Sequence, residues 1–196
     1  MLPNARLTSS PDEDKGLKPR LIAAARQLLE RDGLNAATLR ATAREAGVSH
    51  MAPYRHFKDK DELLAAVAEQ GFRAMTRAIG AAEGGGTERM AAGAAYVSFA
   101  LENPALYRLM FSADLTPRER FPGLVAAGGE AFAHCIAASG AEAGAAGDCE
   151  VAPRAAVALW AIVHGLATLI LDGLVAMPPR GPARDAEIAA ILGDAP

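Results

Sequence analysis

Apolar residues in this chain recur every three to four positions, and no stretch sustains the period-two alternation that a half-buried strand requires. Leu17, Leu21, Ile22, Ala25, Leu28 and Leu29 make one such stripe; Leu63, Leu64, Val67, Gly71, Phe72, Met75 and Ile79 make another. Alanine is abundant and aromatic residues are only 5% of the chain, which favours close-packed helices over sheet. The pattern predicts an all-α protein. Helices are expected from Leu17 to a stop at Gly33, and over "ATLRATAREAG" with Thr38 as cap and Gly47 as end. Two more are expected from Ser49 through "HMAPYRHF" and from Asp59 along the second stripe. Pro19 is expected near the first turn of the first helix, where a missing N–H costs little. Later helices are predicted at about 88–102, 104–112, 118–138, 151–176 and 183–192.

The formal net charge of −3 hides an asymmetry. Residues 1–60 carry 11 Lys/Arg against 7 Asp/Glu, and residues 61–196 carry 9 against 16. A basic head on an acidic body is the footprint of a phosphate-binding module. The polar start "MLPNARLTSSPDEDKG" lacks an apolar signal-peptide core and reads as a disordered arm over 1–16. A head is expected over 17–62, with a helix-turn-helix at about 38–57, and a body over 63–196. "EGGGT" at 83–87 is the best linker candidate, "GAEAGAAGDC" a loop and "MPPRGP" a rigid turn.

Cys135 and Cys149 come with no CxxC and no His-x-x-x-His, which supports neither a disulfide framework nor a zinc site. No cofactor is implied, and a reducing, cytoplasmic setting follows. The apolar run from Ala155 extends about seventeen residues, is interrupted by His164 and ends at Asp172. That is short for a membrane span, and a buried helix explains it better.

The stretch "EAGVSHMAPYRHFKDKDELL" joins a turn, a series of donors and a helix start. Two short helices meeting at "AGVS" are a helix-turn-helix, with Gly47 supplying the turn, Val48 directed to the core and Ser49 starting the second helix. The first residues of that helix, Ser49, His50 and Met51, would face base edges; Tyr54, His56 and Lys60 offer donors suited to phosphate oxygens. Asp59 and Glu62 form a capping-box pattern for the next helix. Pro53 stands where an N–H would bond back to the Ser49 carbonyl, so a loosened or 3₁₀-like start is predicted.

"TLRATAREAGVSHMAPYRHFKDKDELLAAV" closely resembles the DNA-binding region of the TetR family of bacterial transcriptional regulators, matching at Ala43, Ala46, Gly47, Val48, Ser49, Tyr54, Phe57, Lys60 and Leu63. "LWAIVHGLATLILDG" resembles the Trp-His-Gly signature of one C-terminal subfamily, through Trp160, His164 and Gly165, and "NPALYRLMF" looks like the same subfamily. The resemblance implies a dimer of all-helical subunits, each with a three-helix DNA-binding head and a body that binds a small molecule. It implies Thr38, Tyr54, His56 and Lys60 as phosphate contacts, and Arg40, Ser49, His50 and Met51 as residues facing bases. Met51 packing within the head, and Arg40 simply solvated, remain open alternatives. Thr42 stands where the family has an apolar residue, which weakens the core by about 1 kcal/mol unless its hydroxyl is bonded.

In the body, His164 is either a core histidine or a ligand-facing polar group. Phe72, Met75, Tyr96, Phe99, Tyr107, Met110, Phe132 and Trp160 are the further candidates for lining an effector pocket. The small residues of the 151–176 helix and the last helix, "ARDAEIAAIL", are expected to build a four-helix dimer interface. The expected partners are thus a near-palindromic double-stranded operator, a small, mostly apolar effector and a second copy of the chain, with no membrane. The leading reading is a ligand-released repressor. A constitutive DNA binder ranks second, and an enzyme last: no GxSxG, HExxH or phosphate loop is present.

Overall fold

The computed structural model describes residues 11–82, 88–138 and 153–193. The described residues form eight α-helices and three 3₁₀ turns, with no strand among them. The chain divides into two compact units after Val67. The expected linker at 83–87 and the loop around Cys149 lie outside the described residues.

The first unit holds α1 (Pro11–Asp32), α2 (Leu39–Glu45), a 3₁₀ turn at Pro53–Arg55 and the start of α3 (Lys60–Ala82). Its core is the predicted stripe: Leu21, Ala25, Leu28 and Leu29 of α1 are buried, with Leu39 and Ala43 of α2, Phe57, and Leu63, Leu64 and Val67 of α3. Arg31 donates to both Glu45 carboxylate oxygens at 3.1 and 3.2 Å, and Arg20 donates to the Ala46 carbonyl at 3.0 Å, so two arginines fasten α2 to α1. Thr42 is fully buried, and its hydroxyl has no hydrogen-bond partner among the described residues.

Two expectations about α1 are corrected. The helix begins at Pro11, so residues 11–16 are helical rather than part of a disordered arm, with proline at the first helical position where its fixed φ is preorganised. Pro19 therefore lies inside the helix, not in its first turn. One backbone bond is lost there, and the helix continues into the buried stripe of Leu21, Ala25 and Leu28.

The second unit contains the rest of α3, α4 (Glu88–Glu102), α5 (Pro104–Met110), 3₁₀ turns at Ala113–Leu115 and Arg118–Arg120, α6 (Pro122–Ala138), α7 (Arg154–Leu171) and α8 (Pro182–Gly193). Helix α4 packs on α7 and α8, and α6 packs on α7. Val97, Leu106, Met110, Leu115, Leu124 and Ile188 are at most 1% exposed and form the centre.

The helix expected over 118–138 is split before Pro122. A residue preceding proline is pushed out of the α region, and Phe121 sits at φ −125°, ψ 72°. The helix expected over 151–176 stops at Leu171. Gly173 takes φ +72°, and its N–H and that of Leu174 bond the Ile170 and Leu169 carbonyls at 3.0 and 2.9 Å, a Schellman end. Arg108 of α5 adds donors to the Leu171 carbonyl (3.1 Å) and to Asp172 Oδ1 (2.6 Å).

Helix α7 is not the buried helix its composition suggests. It is apolar and long enough to cross a membrane by length and composition, with a mean hydropathy of 1.8, yet only 17% of it is buried within the chain. Ala156 and Ala167 are covered; Val157 and Leu169 are 42% and 43% exposed, and Leu174 beyond the helix end is 73% exposed.

Candidate DNA interface and effector cavity

In the head, the sequence "AGVS" builds a second Schellman end. Gly47 sits at φ +67°, a conformation that disfavours any side chain, and the Gly47 and Val48 N–H groups bond the Arg44 and Ala43 carbonyls at 3.1 and 2.9 Å. Val48, expected to point into the core, is only half-buried. Thr38 caps α2 as predicted, its hydroxyl accepting from the Ala41 N–H at 3.2 Å.

Beyond the turn the predicted reading helix is shorter than expected. Residues 50–52 form turns and Pro53–Arg55 a single 3₁₀ turn; no α-helix forms before Lys60. Pro53 has no N–H to give, so the Ser49 carbonyl is taken by Ala52 at 3.0 Å, and the His56 N–H reaches the Pro53 carbonyl at 2.9 Å. Phe57 then buries itself and anchors the segment.

Helix α3 starts with the predicted cap, Glu62 N–H donating to Asp59 Oδ1 at 2.9 Å. Glu62 in turn accepts from the Lys58 N–H at 2.8 Å, one residue earlier than in the usual reciprocal box.

This arrangement gathers Arg40 of α2 with His50, Met51 and Tyr54 of the turn segment around one open depression of about 470 Å³. Met51 and Tyr54 are 58% and 52% exposed although both are largely apolar. Thr38 and Ser49 are exposed outside it, and His56 and Lys60 are half-buried; these four do not line the depression.

The second unit contains a partly open cavity of about 650 Å³. Of the nine expected lining residues, Phe72, Met75, Tyr96, Phe132, Trp160 and His164 border it. Phe99, Tyr107 and Met110 do not: they are at most 8% exposed and belong to the surrounding core. Residues not anticipated include Phe111, Arg118, Leu124, Val125 and Cys135. The α6 contribution was legible, since Leu124, Gly128, Ala131 and Cys135 recur on the helical stripe of Phe132.

At one end of the cavity lies a polar cluster. Tyr107 Oη is 2.7 Å from His164 Nδ1; Tyr96 Oη is 3.1 Å from both Tyr107 Oη and His164 Nδ1; and Trp160 Nε1–H donates to Tyr96 Oη at 3.3 Å. Burial, followed by the neighbouring Tyr107 hydroxyl, pushes the Tyr96 phenol far above its usual range. Burial also raises Tyr107 to about 12, lifts the Cys135 thiol and lowers His164, so each of these groups is neutral near pH 7. Phe72, Phe111, Phe132 and Trp160 supply ring walls, and Arg118 is held on the rim by donating to the Met110 carbonyl at 2.8 Å. Asp172, eight residues past His164, is bound by Arg108 and is not part of the cavity.

A basic helical head with a turn-built exposed rim, followed by a hollow helical body, defines a helix-turn-helix DNA-binding transcriptional regulator. The sequence model "Bacterial regulatory proteins, tetR family" matches residues 21–67, and "Tetracyclin repressor-like, C-terminal domain" matches residues 89–191. The chain belongs to the TetR family, whose members are transcriptional regulators rather than enzymes. A solved protein of unknown function from Rhodococcus sp. RHA1 is 32% identical, with 97% of this chain and 96% of that one covered at a TM-score of 0.68. A tetR-family regulatory protein from Rhodococcus RHA1 (24% identity, 90% and 93% covered, TM-score 0.63) shares the fold. So does the TetR family transcriptional regulator PfmR from Thermus thermophilus (20% identity, 89% and 95% covered, TM-score 0.61). No curated protein matches the sequence.

Proposed function

We propose that this regulator is a homodimeric repressor that leaves a near-palindromic operator when a small, mostly apolar ligand enters the body, and that it works in the cytoplasm. The observation that carries the reading is the cavity of about 650 Å³, apolar-walled with one convergent polar cluster, in a protein whose head is built to bind DNA. We assign the head to residues 17–62 and the body to 63–196.

In this reading Arg40, Ser49, His50 and Met51 face base edges, and Thr38, Tyr54, His56 and Lys60 contact phosphates. The shared depression of Arg40, His50, Met51 and Tyr54 supports it, because it puts guanidinium, imidazole and thioether together for base edges with the Tyr54 phenol beside them for a flanking phosphate. Two heads would engage successive major grooves about 34–36 Å apart. The open apolar face of α7, with α8, is the surface the second subunit covers, since a monomer exposing it would aggregate.

Ligand control follows by linkage: an effector that binds better when the heads are spaced wrongly for DNA shifts the population away from the operator. The test is a gel-shift scan against fragments from around the protein's own gene, at rising salt. A specific complex that weakens steeply with salt is expected; no such complex on any fragment would remove the repressor reading.

A further inference from the structure

We infer that the body cavity is built for a neutral, flat aromatic molecule that presents a single hydrogen-bond acceptor to His164 Nε2. The inference rests on the ligand-controlled reading above and names the chemical class of its effector.

Proton counting in the polar cluster is the starting point. Trp160 Nε1–H is committed to Tyr96 Oη. Tyr96 can pass its own proton to Tyr107 Oη, and Tyr107 can pass its proton to His164 Nδ1, where the contact is shortest at 2.7 Å. That order, Trp160 to Tyr96 to Tyr107 to His164, gives the indole proton and both hydroxyl protons an acceptor. With the proton on Nδ1 instead, an imidazole N–H would donate to a phenol across the shortest contact, leaving the better acceptor of the pair unused, and the Tyr107 proton would have to turn to Thr168. A neutral ring that accepts at Nδ1 carries its hydrogen at Nε2, and His164 borders the cavity. The hydroxyls and the indole N–H are occupied by one another, so Nε2–H is the donor this cluster leaves for a guest.

Shape and charge set the rest of the class. Phe72 and Phe111 meet edge to face at 5.3 Å, Phe132 and Trp160 at 5.8 Å, and Phe111 lies 4.5 Å from the His164 ring, so the walls are aromatic faces and edges suited to a planar guest. Among the described residues, Arg118 and Glu119 are the only Lys, Arg, Asp or Glu bordering the cavity; they are opposite in sign, and Glu119 is exposed. The Arg118 guanidinium is already donating to the Met110 carbonyl. The charges named thus sit at the rim with Glu119 offsetting Arg118, and burying an unpaired charge among the aromatic walls is strongly unfavourable. One neutral acceptor, by contrast, completes the His164 hydrogen bonding.

Isothermal titration calorimetry of the full chain with three matched naphthalenes tests this: 2-acetylnaphthalene has the acceptor, 2-ethylnaphthalene lacks it, and 2-naphthoate carries a charge. The acetyl compound should bind about three- to tenfold tighter than the ethyl compound, and the naphthoate weakest. His164→Phe should equalise acetyl and ethyl by weakening only the former. His164→Gln, whose amide still donates, should restore part of the preference. Equal binding of acetyl and ethyl to the native chain, tightest binding of the naphthoate, or no binding of any of them would overturn the inference. Ligand control itself is decided separately, by whether any compound in a chemically diverse panel releases the operator complex; the named class can fail while that reading stands.

Discussion

Tyr107 Oη lies 2.7 Å from His164 Nδ1, joining α5 to α7 through a contact that also engages Tyr96 and, through it, Trp160 at one end of the cavity. Neither tyrosine hydroxyl reaches this geometry by sequence proximity, since His164 is 57 residues from Tyr107 and 68 from Tyr96. Tyr107→Phe removes the shortest link while keeping the ring contacts to Phe111 and His164. The expected cost is about 1 kcal/mol of stability, read from urea unfolding at constant m-value. A change under a few tenths would mean that the hydroxyl is not holding the histidine.

The same histidine sets a pH dependence. Burial places its folded pKa below the ordinary 6.5, so between the two values the unfolded chain binds the extra proton. This contribution to stability is complete above about pH 6.5 and is lost as pH falls through that value toward the folded pKa. Thermal melts between roughly pH 7.5 and 5 should show a falling midpoint, with a shallower fall in His164→Phe. Parallel curves for the two proteins would contradict the assignment.

Thr42 is a standing defect in the head, fully buried with an unpartnered hydroxyl. Thr42→Val keeps the branched shape and removes the polar atom, and should stabilise the protein by about 1 kcal/mol. Equilibrium unfolding measures it, and unchanged DNA affinity is expected alongside because the side chain is not exposed. A destabilised Val variant would mean that the hydroxyl has a partner after all.

At the DNA face, two neighbours should behave differently. If Tyr54 contacts a phosphate as proposed, Tyr54→Phe should weaken binding roughly 5- to 10-fold on every sequence tested. Met51→Ala deletes an exposed apolar tip beside Arg40 and should change which operator positions are tolerated. Gel shifts on a randomised operator library separate the two; uniform weakening by both variants would assign Met51 no reading role.

The apolar face of α7 yields a further expectation. Leu169→Glu puts a charge on a residue 43% exposed in the single chain, so its fold should survive while self-association weakens at least about tenfold. Sedimentation analysis across a concentration range reads this directly, and an unchanged dimer would place the interface elsewhere.

Much of the head was readable because its determinants are local. The Leu17-to-Leu29 stripe, the Thr38 cap, the Gly47 turn and the Asp59–Glu62 start each depend on residues a few positions apart, and all four formed. Pro53 was legible for the same reason: a missing N–H shortens a helix wherever it stands. What the sequence signalled less fully was the extent of that loss, because the remaining turn is held by Phe57 reaching the core from the far side of the segment.

The body divides differently between the two levels. Sequence determined that it is helical and roughly where its helices lie, since periodicity reports which face of an element is apolar. It left undetermined whether Tyr107 lines the cavity or supports it, that α7 stays open instead of buried, and that Trp160, Tyr96, Tyr107 and His164 meet in one hydrogen-bonded cluster. Those facts depend on which side chains meet across 50 or more positions, as Tyr107 and Tyr96 meet His164. Hydrophobic burial is non-directional and constrains only the total apolar area, whereas hydrogen bonds a few tenths of an ångström from ideal exist only once the packed helices have fixed their partners.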